Sequence, residues 1–137
     1  MNKAVSIGHI AVAVADLNQA IEAFAVILNC GPDAIEEVKE QGVRVAVFRP
    51  AGNDTTAIEL ICPLDKDNSI GKFIEKHGQG LHHISLNVSD ISSKLNDLKK
   101  NGFRLINETP RDGAEGKKIA FMHPSAASGV LIELEQD

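Results

Sequence analysis

Four residues of this chain have the types and spacing of a metal-ligand set: His9, Glu59, His83 and Glu133. The histidines are 74 positions apart, and so are the glutamates. The same shift places Ile10 on Ile84, Val14 on Val88, Asp16 on Asp90, Gly42 on Gly116, Ala46 on Ala120 and Leu60 on Leu134, without a gap between 9–63 and 83–137. A duplication keeps apolar positions and turn glycines because packing and backbone geometry need them. Keeping a histidine and a glutamate as well calls for a chemical reason. Glu59 lies in the run Ala57-Ile58-Glu59-Leu60-Ile61 and Glu133 between Ile132 and Leu134. Side chains of a strand alternate faces, so each carboxylate sits in apolar sheet whichever face is inward. A buried carboxylate is costly unless it is paired, and two at equivalent positions point to one shared cation. Imidazole nitrogen and carboxylate oxygen suit a divalent transition metal, with positions left for water or substrate. A lone strand histidine is more often a packing residue; the constant offset is what argues for ligation here. His77 and His82 have no such support.

The elements that must carry these residues repeat with them. A strand over 9–14 is followed by Asp16 as helix N-cap with Gln19 in the capping-box position. Leu17, Ala20, Ile21, Phe24 and Leu28 then recur at helical spacing up to Gly31-Pro32. Strands are expected at 35–40, 43–48 and 56–61, the last two joined by a turn at Gly52-Asn-Asp54. A linker with a short helix occupies 65–78. The second half repeats the plan: strand 83–88, cap Asp90, a helix through Ile91, Leu95 and Leu98 closed by Gly102, then strands near 103–108, 117–122 and 130–135. The expected fold is α+β, two tandem βαβββ modules forming an eight-stranded, half-open barrel-like sheet around a metal site. The halves cover about 5–64 and 80–137 of a single 137-residue domain.

Bulk properties narrow the function. A net charge of −5 with no basic block argues against nucleic acid or an anionic membrane as partner. No run approaches the roughly 18 apolar residues of a membrane span. Cys30 and Cys62 stand in apolar contexts without a CxxC spacing, as reduced thiols do. Residues 1–10 carry no signal or transit pattern, so a cytoplasmic location is expected.

The pattern resembles the vicinal oxygen chelate (glyoxalase, bleomycin resistance, dioxygenase) superfamily, and within it the methylmalonyl-CoA epimerases. The resemblance rests on His9-Ile-Ala-Val-Ala-Val-Ala-Asp-Leu17, Glu36-Glu-Val-Lys-Glu-Gln-Gly-Val43, Ile58-Glu-Leu-Ile-Cys-Pro-Leu64, Ser69-Ile-Gly-Lys-Phe-Ile74, Gly80-Leu-His-His-Ile84 and Gly129-Val-Leu-Ile-Glu-Leu-Glu-Gln136. It implies His9, Glu59, His83 and Glu133 as ligands of cobalt or a similar divalent ion, with zinc, nickel or manganese as alternatives. It also implies a coenzyme A thioester as substrate and a homodimer. Epimerisation removes a proton on one face of the α-carbon and delivers one on the other, and Glu133 is the expected acid/base on one side. Some relatives carry an acid at the position that is Val45 here, so the second acid/base is not assigned; Glu37 and Glu40 are nearby charges. Ala25 stands where relatives often have an aromatic, and Ser128-Gly129 replaces a Gly-Gly pair. Arg111, Lys117 and Lys118 flank a loop with Gly113 and Gly116 and are expected contacts for the coenzyme A diphosphate; His123 is a further basic contact.

Two other readings share the superfamily. A glyoxalase I-like lyase uses the same His/Glu/His/Glu set on a glutathione adduct. A ligand-sequestering protein of the same fold generally lacks the metal ligands. An extradiol dioxygenase uses two histidines and one carboxylate with more open positions, one of which Glu59 would fill.

Overall fold

A computed structural model describes residues 4–137 as two compact units, 9–82 and 83–137, the second including the chain up to Gly8. Unit 9–82 contains the second half of β1 (Ala4–Ala13), then α1 (Leu17–Leu28), β2 (Ala34–Val38), β3 (Val43–Phe48), β4 (Ala57–Pro63) and α2 (Ser69–His77). Its strands run in the order β2-β3-β4-β1, with β1 parallel to β4 and the rest antiparallel. Unit 83–137 contains most of β5 (Gly80–Val88), then α3 (Ile91–Lys100), β6 (Arg111–Asp112), β7 (Lys118–Met122) and β8 (Ile132–Gln136). Its order is β5-β8-β7-β6, with β5 parallel to β8. The α+β class and the repeated βαβββ module are those read from the sequence.

Each module buries one face of its sheet against its own helix. Val14, Leu17, Ala46, Phe48 and Leu60 form one cluster; Val88, Ile91, Leu95, Ala120 and Leu134 form the other. Four of the five pairs in these clusters are 74 apart, so the duplication preserves a core layout. Leu60 and Leu134 are almost wholly buried, and each contributes roughly 2–3 kcal/mol by removal from water. Both helices start where the caps predict: Asp16 Oδ1 accepts from the Gln19 amide and Asp90 Oδ1 from the Ser93 amide, each at 3.0 Å. Each cap adds about 1 kcal/mol.

Several boundaries differ from the sequence reading. Helix α1 ends on Asn29, which takes the left-handed conformation at φ 57 and donates to the Ala25 and Val26 carbonyls; Gly31-Pro32 lies beyond the cap. The strand expected over 35–40 stops at Val38 and turns through a 3₁₀ turn at Lys39–Gln41. Gly42 closes it at φ 68, and Gly116 holds the equivalent place at φ 71. The strand expected near 103–108 is absent. Leu105 makes one isolated bridge to Met122, and the Ile106 and Asn107 amides then both donate to the Phe121 carbonyl. The Asn107 side chain takes the Phe121 amide at 2.9 Å. A side chain thus does the work of a ladder rung, and regular pairing resumes only at Arg111–Asp112.

The β3–β4 and β7–β8 loops each place one non-glycine residue in the left-handed region, Asp54 at φ 63 and Ser128 at φ 57. These positions are 74 apart, so the loop geometry is duplicated too. A left-handed L-residue costs about 1–2 kcal/mol, against about 0.5–1 kcal/mol of extra chain entropy for glycine. Ser128→Gly is therefore expected to leave the fold unchanged and raise stability by about 0.5–1 kcal/mol. Urea denaturation would register this as a higher midpoint at constant slope; a lower midpoint would mean the Ser128 side chain contributes more than its backbone costs.

Candidate metal centre

The face of each sheet turned away from the helix-packed cluster carries the residues singled out by the repeat. In unit 9–82, β1 and β4 run in parallel with His9 opposite Ala57 and Ala11 opposite Glu59, so His9 and Glu59 share a face. His9 Nδ1 lies 3.1 Å from Glu59 Oε2. In unit 83–137, Ser85 is opposite Glu133 on the parallel β5–β8 pair, and His83 Nε2 lies 3.7 Å from Glu133 Oε2. All four residues are buried, none more than 7% exposed. Each module therefore presents one imidazole nitrogen and one carboxylate oxygen, close together and shielded from water. Nitrogen and oxygen donors in this ratio fit a divalent ion of intermediate softness.

The surroundings of the two pairs differ. Phe121 stands opposite Glu133 on β7 and meets the His83 ring edge to face, with centroids 5.2 Å apart and planes at 88°. Its equivalent 74 positions earlier, opposite Glu59, is Val47. Ser85, whose equivalent is Ala11, is fully buried and its hydroxyl has no hydrogen-bond partner among the described residues. Two residues beyond Glu133 on the same face, Glu135 is 1% exposed, and Lys117 Nζ lies 3.0 Å from its Oε2. The polar residues Ser85, Lys117 and Glu135 all replace apolar ones of the first module, namely Ala11, Val43 and Ile61.

The structure sorts the basic residues. Arg111 is opposite Ile119, on the face that carries Glu133, and is exposed. Lys117 shares that side through Glu135 and Asp137. Lys118 is opposite Gln136 on the other face and pairs with Asp112, so it is not brought toward Glu133. His123 Nδ1 is engaged with its own turn, 2.8 Å from Ser125 Oγ and 3.1 Å from the Ser125 amide. His82 points away from His83, with its ring edge-on to Phe73. Burial pushes its pKa down to about 4, so it is neutral near pH 7.

The expected position of the second acid is apolar, as the sequence indicated. Val45 is 2% exposed and lies opposite Ile61 on one side and Glu36 on the other. The neighbouring acid on the site-bearing face is thus Glu36, which the sequence reading passed over. Glu37 is opposite Arg44 and exposed on the reverse face. Glu40 is exposed in the turn.

This fold and these paired donors define a class. The chain belongs to the glyoxalase/bleomycin resistance protein/dioxygenase superfamily, whose model matches residues 8–121. Among its relatives is the human mitochondrial methylmalonyl-CoA epimerase, 40% identical over 95% of this chain and 73% of that one. The ethylmalonyl-CoA/methylmalonyl-CoA epimerase of Cereibacter sphaeroides is 37% identical over 95% of this chain and 96% of its own length. Among solved structures, a variant of the Streptomyces coelicolor methylmalonyl-CoA epimerase in complex with 2-nitronate-propionyl-CoA superposes with a TM-score of 0.93. It is 32% identical and covers 98% of this chain and 96% of that one. No helix among the described residues is long and apolar enough to cross a membrane.

Proposed function

We propose that this chain is a metal-dependent methylmalonyl-CoA epimerase, with His9, Glu59, His83 and Glu133 as the ligands of one divalent ion and Glu133 also as an acid/base. The observation that carries the ligand assignment is the duplicated, buried His–Glu pair, at 3.1 Å in one module and 3.7 Å in the other. The epimerase relatives supply the reaction and the acyl-CoA class of substrate. A bound ion would withdraw charge from the thioester oxygen as the α-proton leaves and the enediolate develops. The remaining work falls to the protein. The apolar strands around Glu59 and Glu133 keep water from the carboxylates, and Phe121 fixes the plane of the His83 ring. Glu133 takes or returns a proton at the α-carbon. Arg111 and Lys117 would contact the anionic coenzyme A moiety; their position on the Glu133 side of their sheet supports that reading. Lys118 and His123 are turned to other partners and have at most a peripheral part in that contact. Cobalt as the native ion, a homodimer and a cytoplasmic setting complete the reading; the free thiols of Cys30 and Cys62 are in keeping with the last.

The test is isotope exchange. The cobalt-loaded protein, incubated in heavy water with methylmalonyl-CoA, is expected to wash out the α-hydrogen and interconvert the epimers, and to leave a methylglyoxal–glutathione adduct unchanged. Retention of the α-hydrogen in the first arm overturns the assignment, and turnover in the second favours a glyoxalase-like lyase. Binding without exchange in either arm would indicate a ligand-sequestering protein. A melting temperature unmoved by cobalt would remove the metal ligands from the reading.

A further inference from the structure

We infer that Glu36 is the second acid/base of the epimerisation, acting from β2 across the apolar position held by Val45. This rests on the epimerase reading above and adds the residue that reading lacks. The β2–β3 ladder pairs Ala34 with Val47, Glu36 with Val45 and Val38 with Val43. The β3–β4 ladder pairs Val45 with Ile61 and Val47 with Glu59. Residues paired across a ladder share a face, so Glu36, Val45, Glu59 and His9 stand on the same side of the sheet. Apart from His9 and Glu59, Glu36 is the one ionisable side chain on that face among the described residues of the four strands. It is half-buried, whereas Glu37 beside it is exposed on the reverse face.

The surroundings suit a proton carrier. Val45 is opposite Glu36, where Cβ atoms across an antiparallel pair are about 5 Å apart. A glutamate has two methylenes with which to lean over that small side chain. On the outermost strand of its order, Glu36 can exchange its proton with solvent after each turnover. It also has no echo in the second module, since 74 positions on stands Pro110. Residues kept by the duplication serve packing or ligation, and an epimerase needs one function that is not symmetric.

The step balances without a further reactant. The α C–H bond breaks, its electron pair moves into the enediolate, and the proton goes to the Glu133 carboxylate. The new C–H bond forms on the opposite face with the proton of the Glu36 carboxyl, and the electron pair returns to carbon. Glu133 ends protonated and Glu36 ionised, and exchange with water restores both. In the reverse direction the roles swap.

The inference is tested with single epimers of methylmalonyl-CoA in heavy water. Glu36→Gln is expected to slow epimerisation about 10²-fold or more, while one epimer still exchanges its α-hydrogen at close to the wild-type rate and keeps its configuration. Glu37→Gln, on the other face, is expected to epimerise like wild type. Epimerisation by Glu36→Gln at the wild-type rate overturns the inference, as does equal loss of exchange from both epimers, which would indicate a substrate-binding or structural role. If Glu36→Gln fails to fold, Glu36→Asp is the substitute: its shortened carboxylate is expected to slow α-hydrogen exchange of the other epimer, the one deprotonated by Glu36, and wild-type behaviour overturns the inference equally. If the wild-type protein exchanges neither epimer, the epimerase reading itself fails.

Discussion

Glu133→Gln is expected to stop epimerisation, with a fall of about 10²- to 10⁴-fold, the usual contribution of a positioned acid/base. Glu59→Gln is expected to keep much of the activity, within about tenfold. The contrast follows from chemistry and position. An amide oxygen can still ligate an ion, so Gln is tolerable wherever ligation is the whole task. It cannot take a proton, so it fails where proton transfer is required. Glu133 is buried between Ser85 and Phe121 on its neighbouring strands, with Glu135 further along the same face. Glu59 is flanked by Ala11 and Val47. Following epimer interconversion and cobalt content for both variants separates the roles. Glu59→Gln inactive and Glu133→Gln active, each with cobalt bound, would reverse the assignment.

Gly8→Ala is expected to cost about 3 kcal/mol or more, in the range for disrupting a buried charge pair. A Cβ at Gly8 would lie 1.7 Å from Glu135 Oε1 and 3.1 Å from Asn87 Oδ1. The Glu135 carboxylate is 1% exposed and held by Lys117 at 3.0 Å. To give way it must leave the lysine or push into packed sheet. The requirement at Gly8 is for space, since the glycines with positive φ lie elsewhere. Thermal melting should show a drop of about 8 °C or more for a chain of this size. The double variant Gly8→Ala/Glu135→Ala should lose less than the sum of the single variants, because the clash disappears with the carboxylate. Strict additivity, or a Gly8→Ala melting temperature within about 2 °C of wild type, would contradict the packing account.

The buried His–Glu pairs were legible in the sequence because duplication converts two ambiguous residues into a pattern. Glu59 alone reads as an ordinary strand residue, whereas Glu59 and Glu133 at one offset read as a requirement. The helices were legible because Asp16 and Asp90 cap apolar runs of helical period. Two features were not. The strand expected near 103–108 has suitable residues, but the Asn107 side chain bonds the Phe121 amide and ends the ladder, a choice that period-2 patterning does not contain. Glu36 was overlooked in favour of Glu37 because which of two adjacent residues faces the site depends on register. That register is set by the turn Lys39–Gly42, which places Val38 opposite Val43. A slip of one residue would exchange the faces of Glu36 and Glu37. The signal available was Gly42 itself: a glycine closing a short hairpin loop marks the left-handed position from which pairing can be counted outward.

The parallel pairing of β1 with β4, and of β5 with β8, also governs when the donor pairs come into being. In each module the histidine lies on the first strand and the glutamate on the last, 50 positions later. Their approach closes a loop that contains the helix and the intervening hairpin, a long-range contact that forms slowly because chain entropy must be lost before the pairing is gained. A nascent chain that has made β1, α1 and β3 but not β4 has a histidine without its carboxylate. If the pairs ligate an ion as proposed, an ion present during synthesis meets no complete His–Glu pair in a half-made module. Metal uptake by the proposed site would be a late event, with a rate that reports completion of the last strand.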